Sequence, residues 1–104
     1  MQRGEIWWAK LPPPAGRRPV VLVSRDEAYL IRDWVMVAPV TTRIRDMRSE
    51  VKVGPQDGLL RPSVVNCDSL VTIPKARLSH HIALLRAIKI QALNDALNFA
   101  LGLP

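Results

Sequence analysis

The chain has 104 residues, 48% of them hydrophobic, which suffices for one small packed domain over residues 1–104 and excludes a disordered composition. Fifteen Lys and Arg against nine Asp and Glu leave a net charge of +6, a balance that favours nucleic acid or an acidic protein as partner. The single cysteine excludes an internal disulfide and suits a reducing cytoplasm, and neither a leader-like start nor a membrane-length apolar run is present.

Glu5 to Lys10 reads as a first strand, with Trp7 and Trp8 on opposite faces. Leu11 to Gly16 carries Pro12-Pro13-Pro14, which cannot continue a sheet ladder, so it is a short semi-rigid loop. Pro19 to Ser24 is the second strand. Arg25 to Asp33 connects, with a helical turn around Asp26 to Leu30. Trp34 to Val40 is the third strand, and Pro39 near its end implies an edge position or a bulge. Thr41 to Ser49 is a polar, arginine-rich loop.

Glu50 to Val53 alternates charge and valine, as a half-exposed strand does. Gly54 to Gly58 is a turn cluster. Ser63 to Ile73 reads as one strand, bent near Asn66 to Ser69 and ended by Pro74. His80 to Leu84 is a short last strand. Arg86 to Leu101 is helical, with Ile90, Leu93, Leu97 and Leu101 on one stripe, Ala92, Ala96 and Ala100 beside them and Gly102 at its end. Many short antiparallel strands and one final helix predict a mainly β fold, a small barrel or strongly twisted sheet with the helix over one opening.

The most informative stretch is Arg17-Arg18-Pro19-Val20-Val21-Leu22-Val23-Ser24. Pro19 disfavours the helical region for Arg18 and holds it extended at the strand entrance. A planar guanidinium fixed at a sheet rim is suited to gripping a phosphate, and if the second and third strands are neighbours, Thr41-Thr42-Arg43 joins it. The plainer alternatives are a rim arginine paired to a carboxylate and a threonine capping a strand end.

Four segments together carry a family resemblance: Arg3-Gly4-Glu5-Ile6-Trp7-Trp8, then Arg18-Pro19-Val20-Val21-Leu22-Val23-Ser24, then Val37-Ala38-Pro39-Val40-Thr41-Thr42, and Val64-Val65-Asn66-Cys67-Asp68-Ser69 running on to Leu78. In this order and spacing they resemble the MazF/PemK toxins. The resemblance implies an SH3-like barrel and a ribosome-independent endoribonuclease of a type II toxin–antitoxin system. It further implies a homodimer, neutralised by an acidic, MazE-like antitoxin that wraps the RNA-binding groove. Arg18 matches the family's catalytic arginine and Thr41 its catalytic threonine. The first loop is shorter than the family's, the family's Asp-Gln pair reads Asp68-Ser69 here, and a common arginine is Val71, so a glutamine-based reading of bases does not carry over.

Metal-free RNA cleavage uses the substrate's own 2′-OH as nucleophile and leaves a 2′,3′-cyclic phosphate and a 5′-OH. Arg18 would stabilise charge on the non-bridging oxygens and Thr41 would help fix the phosphate for in-line attack. A guanidinium keeps its proton near neutral pH, so Arg18 is no general base. Arg17, Arg25 and Arg43 are candidate contacts to RNA phosphates or else plain solvated surface. Ser24, Thr42 and Asp68, which stand in the matched motifs, complete the candidate RNA contacts. Thr42 is alternatively a structural partner of Thr41.

Adjacent His80 and His81 point to opposite faces and cannot serve one phosphate as an acid–base pair. No spacing resembles a metal site and no cofactor motif is present, so neither is expected. Cys67 is read as a small core residue, and Trp7, Trp8 and Trp34 as base-stacking platforms or as core and dimer contacts. The competing functions are a CcdB-like toxin that binds and poisons gyrase, and a nucleic-acid-binding barrel without catalysis.

Overall fold

The computed structural model describes residues 1–104. Seven strands form one antiparallel sheet: β1 (Glu5–Lys10), β2 (Arg17–Leu22), β3 (Trp34–Thr41), β4 (Glu50–Val53), β5 (Ser63–Asn66), β6 (Val71–Pro74) and β7 (Leu78–Leu84). Helix α1 (Ala28–Ile31) lies between β2 and β3, and α2 (Ala87–Ala100) follows β7. The spatial order is β4-β5-β3-β2-β1-β7, with β6 also on β3. No ladder joins β4 to β7, so the sheet stays open where a closed barrel was one expectation.

The long strand expected over Ser63 to Ile73 is two strands separated by a 3₁₀ turn at Cys67–Ser69. Asn66 Oδ1 accepts the Asp68 N–H at 3.0 Å and caps that turn. As a result β6 pairs with the first half of β3 (Trp34 to Val37) and β5 with its end (Val40 and Thr41). This break also explains Pro39, which lies in a central strand and not at an edge. Val23 donates to the Met36 carbonyl, and the alternation of bonded and unbonded pairs then makes Val20 and Pro39 an unbonded pair. The missing N–H of Pro39 therefore faces away from β2, into the gap between β5 and β6, where no ladder bond is lost.

Both faces of β2 and β3 are covered, which is why their apolar runs are nearly continuous. Val21, Val23, Ala38 and Val40 enter one core with Ile6, Val65 and, from α2, Leu93 and Ala96. Val20, Leu22, Val35 and Val37 enter a second core with Ala9, Leu11, Tyr29 and Ile73. The stripe on α2 is rotated slightly from its expected position. Leu93 and Ala96 are fully covered, Ile90 and Leu97 partly, and Leu101, beyond the last turn, is exposed.

Strand ends differ from expectation for local reasons. β2 begins at Arg17, because Arg17 and Arg18 still pair with Lys10 and Ala9 of β1. It ends at Leu22, because Ser24 Oγ takes the Met36 N–H at 2.8 Å in place of a ladder carbonyl. β7 starts two residues before His80, since Leu78 pairs with Ala9. Gly4 is at φ 92, which glycine adopts without strain, and there it donates to Leu22 and accepts from Leu85, stitching β1 to β2 and to the lead-in of α2.

Candidate active site

Along β2 and β3 the register pairs Val20 with Pro39 and Val21 with Ala38. Continued by two residues, it sets Arg18 opposite Thr41, and directly opposed residues share a face. The two side chains indeed line one cleft of about 250 Å³, together with Ala15, Pro39, Arg43, Arg45, Asn66 and Ser69. Three of these lining residues are arginines and none is acidic. The chain thus concentrates positive charge at the point where β2 begins and β3 ends.

Each group is held by a bond that leaves its reactive part free. Arg18 Nε donates to the Ala15 carbonyl at 3.1 Å, which fixes the plane of the guanidinium. Its two terminal nitrogens have no protein partner, and Arg18 forms no ion pair with any carboxylate. Thr41 Oγ1 accepts the Arg43 N–H at 3.2 Å, so its own O–H remains a free donor. The loop after Thr41 is braced in turn: Glu50 Oε1 accepts from the N–H groups of Arg45 at 3.1 Å and Met47 at 3.3 Å, holding Arg45 beside the cleft. Opposite lies the 3₁₀ turn, where Asn66 Nδ2 donates to Ser69 Oγ at 3.1 Å.

A cleft that presents several fixed donors and no acceptor of negative charge is complementary to a phosphodiester.

Over residues 2–101 the chain matches the family described as PemK-like, MazF-like toxin of type II toxin-antitoxin system. It belongs to that family. It is 41% identical over 99 residues to a Mycobacterium tuberculosis protein named probable endoribonuclease MazF5, covering 94% of this chain and 90% of the other. Among solved structures it resembles Mycobacterium tuberculosis toxin MazF-mt6, with a TM-score of 0.89 and 37% identity over 96% of this chain and 98% of that one. It also resembles an endoribonuclease in complex with its cognate antitoxin from a mycobacterial species, with a TM-score of 0.88 and 28% identity over 100% of this chain and 97% of the other.

Within this toxin fold, not all residues singled out from the sequence meet at the cleft. Arg43 does. Arg17, next to Arg18 but on the other face of β2, lies over the Trp8 ring at 4.4 Å from its centre. Ser24 and Arg25 sit beyond the far end of β2; six residues of strand, ~20 Å, separate Ser24 from Arg18. Thr42 is exposed and does not line the cleft. Asp68 stands behind it, its Oδ2 accepting from the buried Ser49 hydroxyl, and so anchors the 3₁₀ turn from outside.

Arg45, Asn66 and Ser69 are the cleft residues that the sequence reading did not single out. The only signal for them was the suspected bend at Asn66 to Ser69. His80 is exposed and His81 faces Glu5 at 3.7 Å and the edge of Trp7, both away from the cleft. Cys67 is buried, and burial, helped by the Asp68 charge, pushes its thiol from 9.0 up to about 11. It is therefore a neutral core residue at physiological pH and no nucleophile.

Proposed function

We propose that this protein is the toxin of a type II toxin–antitoxin system, a metal-independent, sequence-specific endoribonuclease that cuts single-stranded RNA and so inhibits translation and growth. The observation that carries this reading is the convergence of Arg18 and Thr41 in one arginine-lined cleft. The 2′-OH of the substrate attacks the adjacent phosphorus, the P–O5′ bond breaks, and the products end in a 2′,3′-cyclic phosphate and a 5′-OH. The two free terminal nitrogens of Arg18 hold the non-bridging oxygens as charge builds on them. Thr41 Oγ1 adds a third donor and sets the phosphate for in-line attack. Arg43 and Arg45 draw in the flanking backbone. The proton of the 2′-OH leaves to substrate or solvent, because Arg18 cannot accept it.

The mycobacterial relative solved with its cognate antitoxin supports an antitoxin as partner here too. With a net charge of +6 and a cleft of arginines, the matching ligand is an acidic segment that competes with RNA. A homodimer and a cytoplasmic site of action complete the proposal; no helix is long and apolar enough to cross a membrane.

The test is incubation with a long single-stranded RNA in the presence of a chelator. Discrete fragments ending in 2′,3′-cyclic phosphate are expected. RNA retardation without cutting, or capture of gyrase without cutting, would overturn the assignment.

A further inference from the structure

The 3₁₀ turn that breaks the long strand contributes more to the cleft than a wall. β5 pairs Val64 with Thr41 and Val65 with Val40, so the next residue, Asn66, falls opposite Pro39 on the cleft face. It is one side-chain step, ~7 Å along β3, from Thr41. A group bound there belongs to a nucleotide flanking the phosphate held by Arg18 and Thr41.

The Asn66 amide is locked in one orientation. Its Oδ1 accepts the Asp68 N–H at 3.0 Å and its Nδ2 donates to Ser69 Oγ at 3.1 Å. A flipped amide would set an NH₂ against the Asp68 N–H, so the network itself assigns the rotamer. The turn carrying both residues is tied down by Asp68 to the buried Ser49 hydroxyl and by the Cys67 N–H to the Ser49 carbonyl at 3.0 Å. What remains free is one N–H of Asn66 and the O–H of Ser69, two neighbouring donors on a rigid turn.

We propose that Asn66 and Ser69 read the base next to the scissile phosphate, selecting one that presents two adjacent acceptors. Guanine does so with O6 and N7, cytosine with N3 and O2. Adenine and uracil interrupt every such edge with a donor, so each would leave one donor of the pair unpaired. This inference rests on the ribonuclease reading and names its specificity determinant.

The experiment maps cut ends on a randomised single-stranded RNA library with the full-length wild type, Ser69→Ala and Asn66→Asp. Wild type is expected to require guanine or cytosine at one position beside the cut, and the library shows which of the two. Ser69→Ala lowers the preference at that position alone by ~5- to 100-fold, the discrimination of one good base pairing. Asn66→Asp keeps the shape and the bond from the Asp68 N–H but turns the free donor into an acceptor, so the preference moves towards bases offering a donor there. A role confined to holding the turn would not shift the preferred base. Wild type that cuts with adenine, uracil or no preference beside the site overturns the base-reading proposal and leaves the ribonuclease standing. So do folded variants whose profiles match wild type. Wild type that cuts no RNA overturns the ribonuclease reading itself, and this inference with it.

Discussion

Replacing Arg18 by lysine keeps the charge and removes the geometry. The guanidinium has three roles at once: Nε holds the Ala15 carbonyl at 3.1 Å, and two terminal nitrogens face the cleft. Lysine offers one nitrogen on a flexible stem and cannot satisfy the loop carbonyl and both phosphate oxygens together. At least one donor aimed at the developing charge is lost. Loss of one such donor lowers the cleavage rate by ~10²–10³, about 2.7–4 kcal/mol of transition-state stabilisation. Because the positive charge stays, attraction of RNA to the cleft is largely kept, so kcat falls far more than KM rises. The fold loses one partly buried hydrogen bond to the loop, ~0.5–1.5 kcal/mol, so the protein remains folded at 25 °C. The assay is single-turnover cleavage of a labelled oligonucleotide in chelator, with a thermal melt of the same sample. A folded Arg18→Lys protein that cuts at the wild-type rate would show that charge alone suffices and that the fixed fork has no catalytic part.

The remaining expectations concern stability and partner binding. Leu93 is fully buried where α2 meets the first core, so Leu93→Ala lowers unfolding free energy by ~2–5 kcal/mol, whereas Leu60→Ala, at a position 92% exposed, changes it by less than ~0.5 kcal/mol; urea midpoints that rank them in the other order would contradict the core assignment. Burial, then the Asp68 charge, raises Cys67 from 9.0 to about 11, and burial, then Asp26, raises Tyr29 from 10.0 to about 12. Both are acids held neutral in the fold, so their contribution is complete below pH 9 and is lost as pH rises through 11 and 12, by up to ~3 kcal/mol each. Urea titrations at pH 8 and pH 11 read that loss, and Cys67→Ala should remove the Cys67 share of it; a stability that is flat or rises across this range would be inconsistent with the burial. Affinity for an acidic antitoxin segment should fall steeply as salt rises from 50 to 500 mM, and a Kd indifferent to salt would argue against capture by the arginine cleft.

Charge, periodicity and proline placement made much of this protein legible from its sequence. β1 was readable to its ends because Glu5 to Lys10 is bounded by a polar start and a run of prolines. α2 was readable from its leucine and alanine stripe, and Arg18 from the proline that holds it extended. These are local effects, set by sterics within a few residues, and they survive without knowledge of the partner strands.

What the sequence left open depended on which segments became neighbours. Arg17 and Arg18 are adjacent and chemically alike, yet the alternation of the strand sends one onto Trp8 and the other into the cleft. Ser24 and Arg25 share a motif with Arg18 but lie at the opposite end of the same strand. Arg45, Asn66 and Ser69 reach the cleft only because the 3₁₀ turn lets β5 and β6 share one edge of β3. Residue type and spacing determined that a phosphate-binding arginine and a hydroxyl would stand near strand ends. The pairing register, a long-range property fixed by burial on both faces of β2 and β3, decided which other side chains stand beside them.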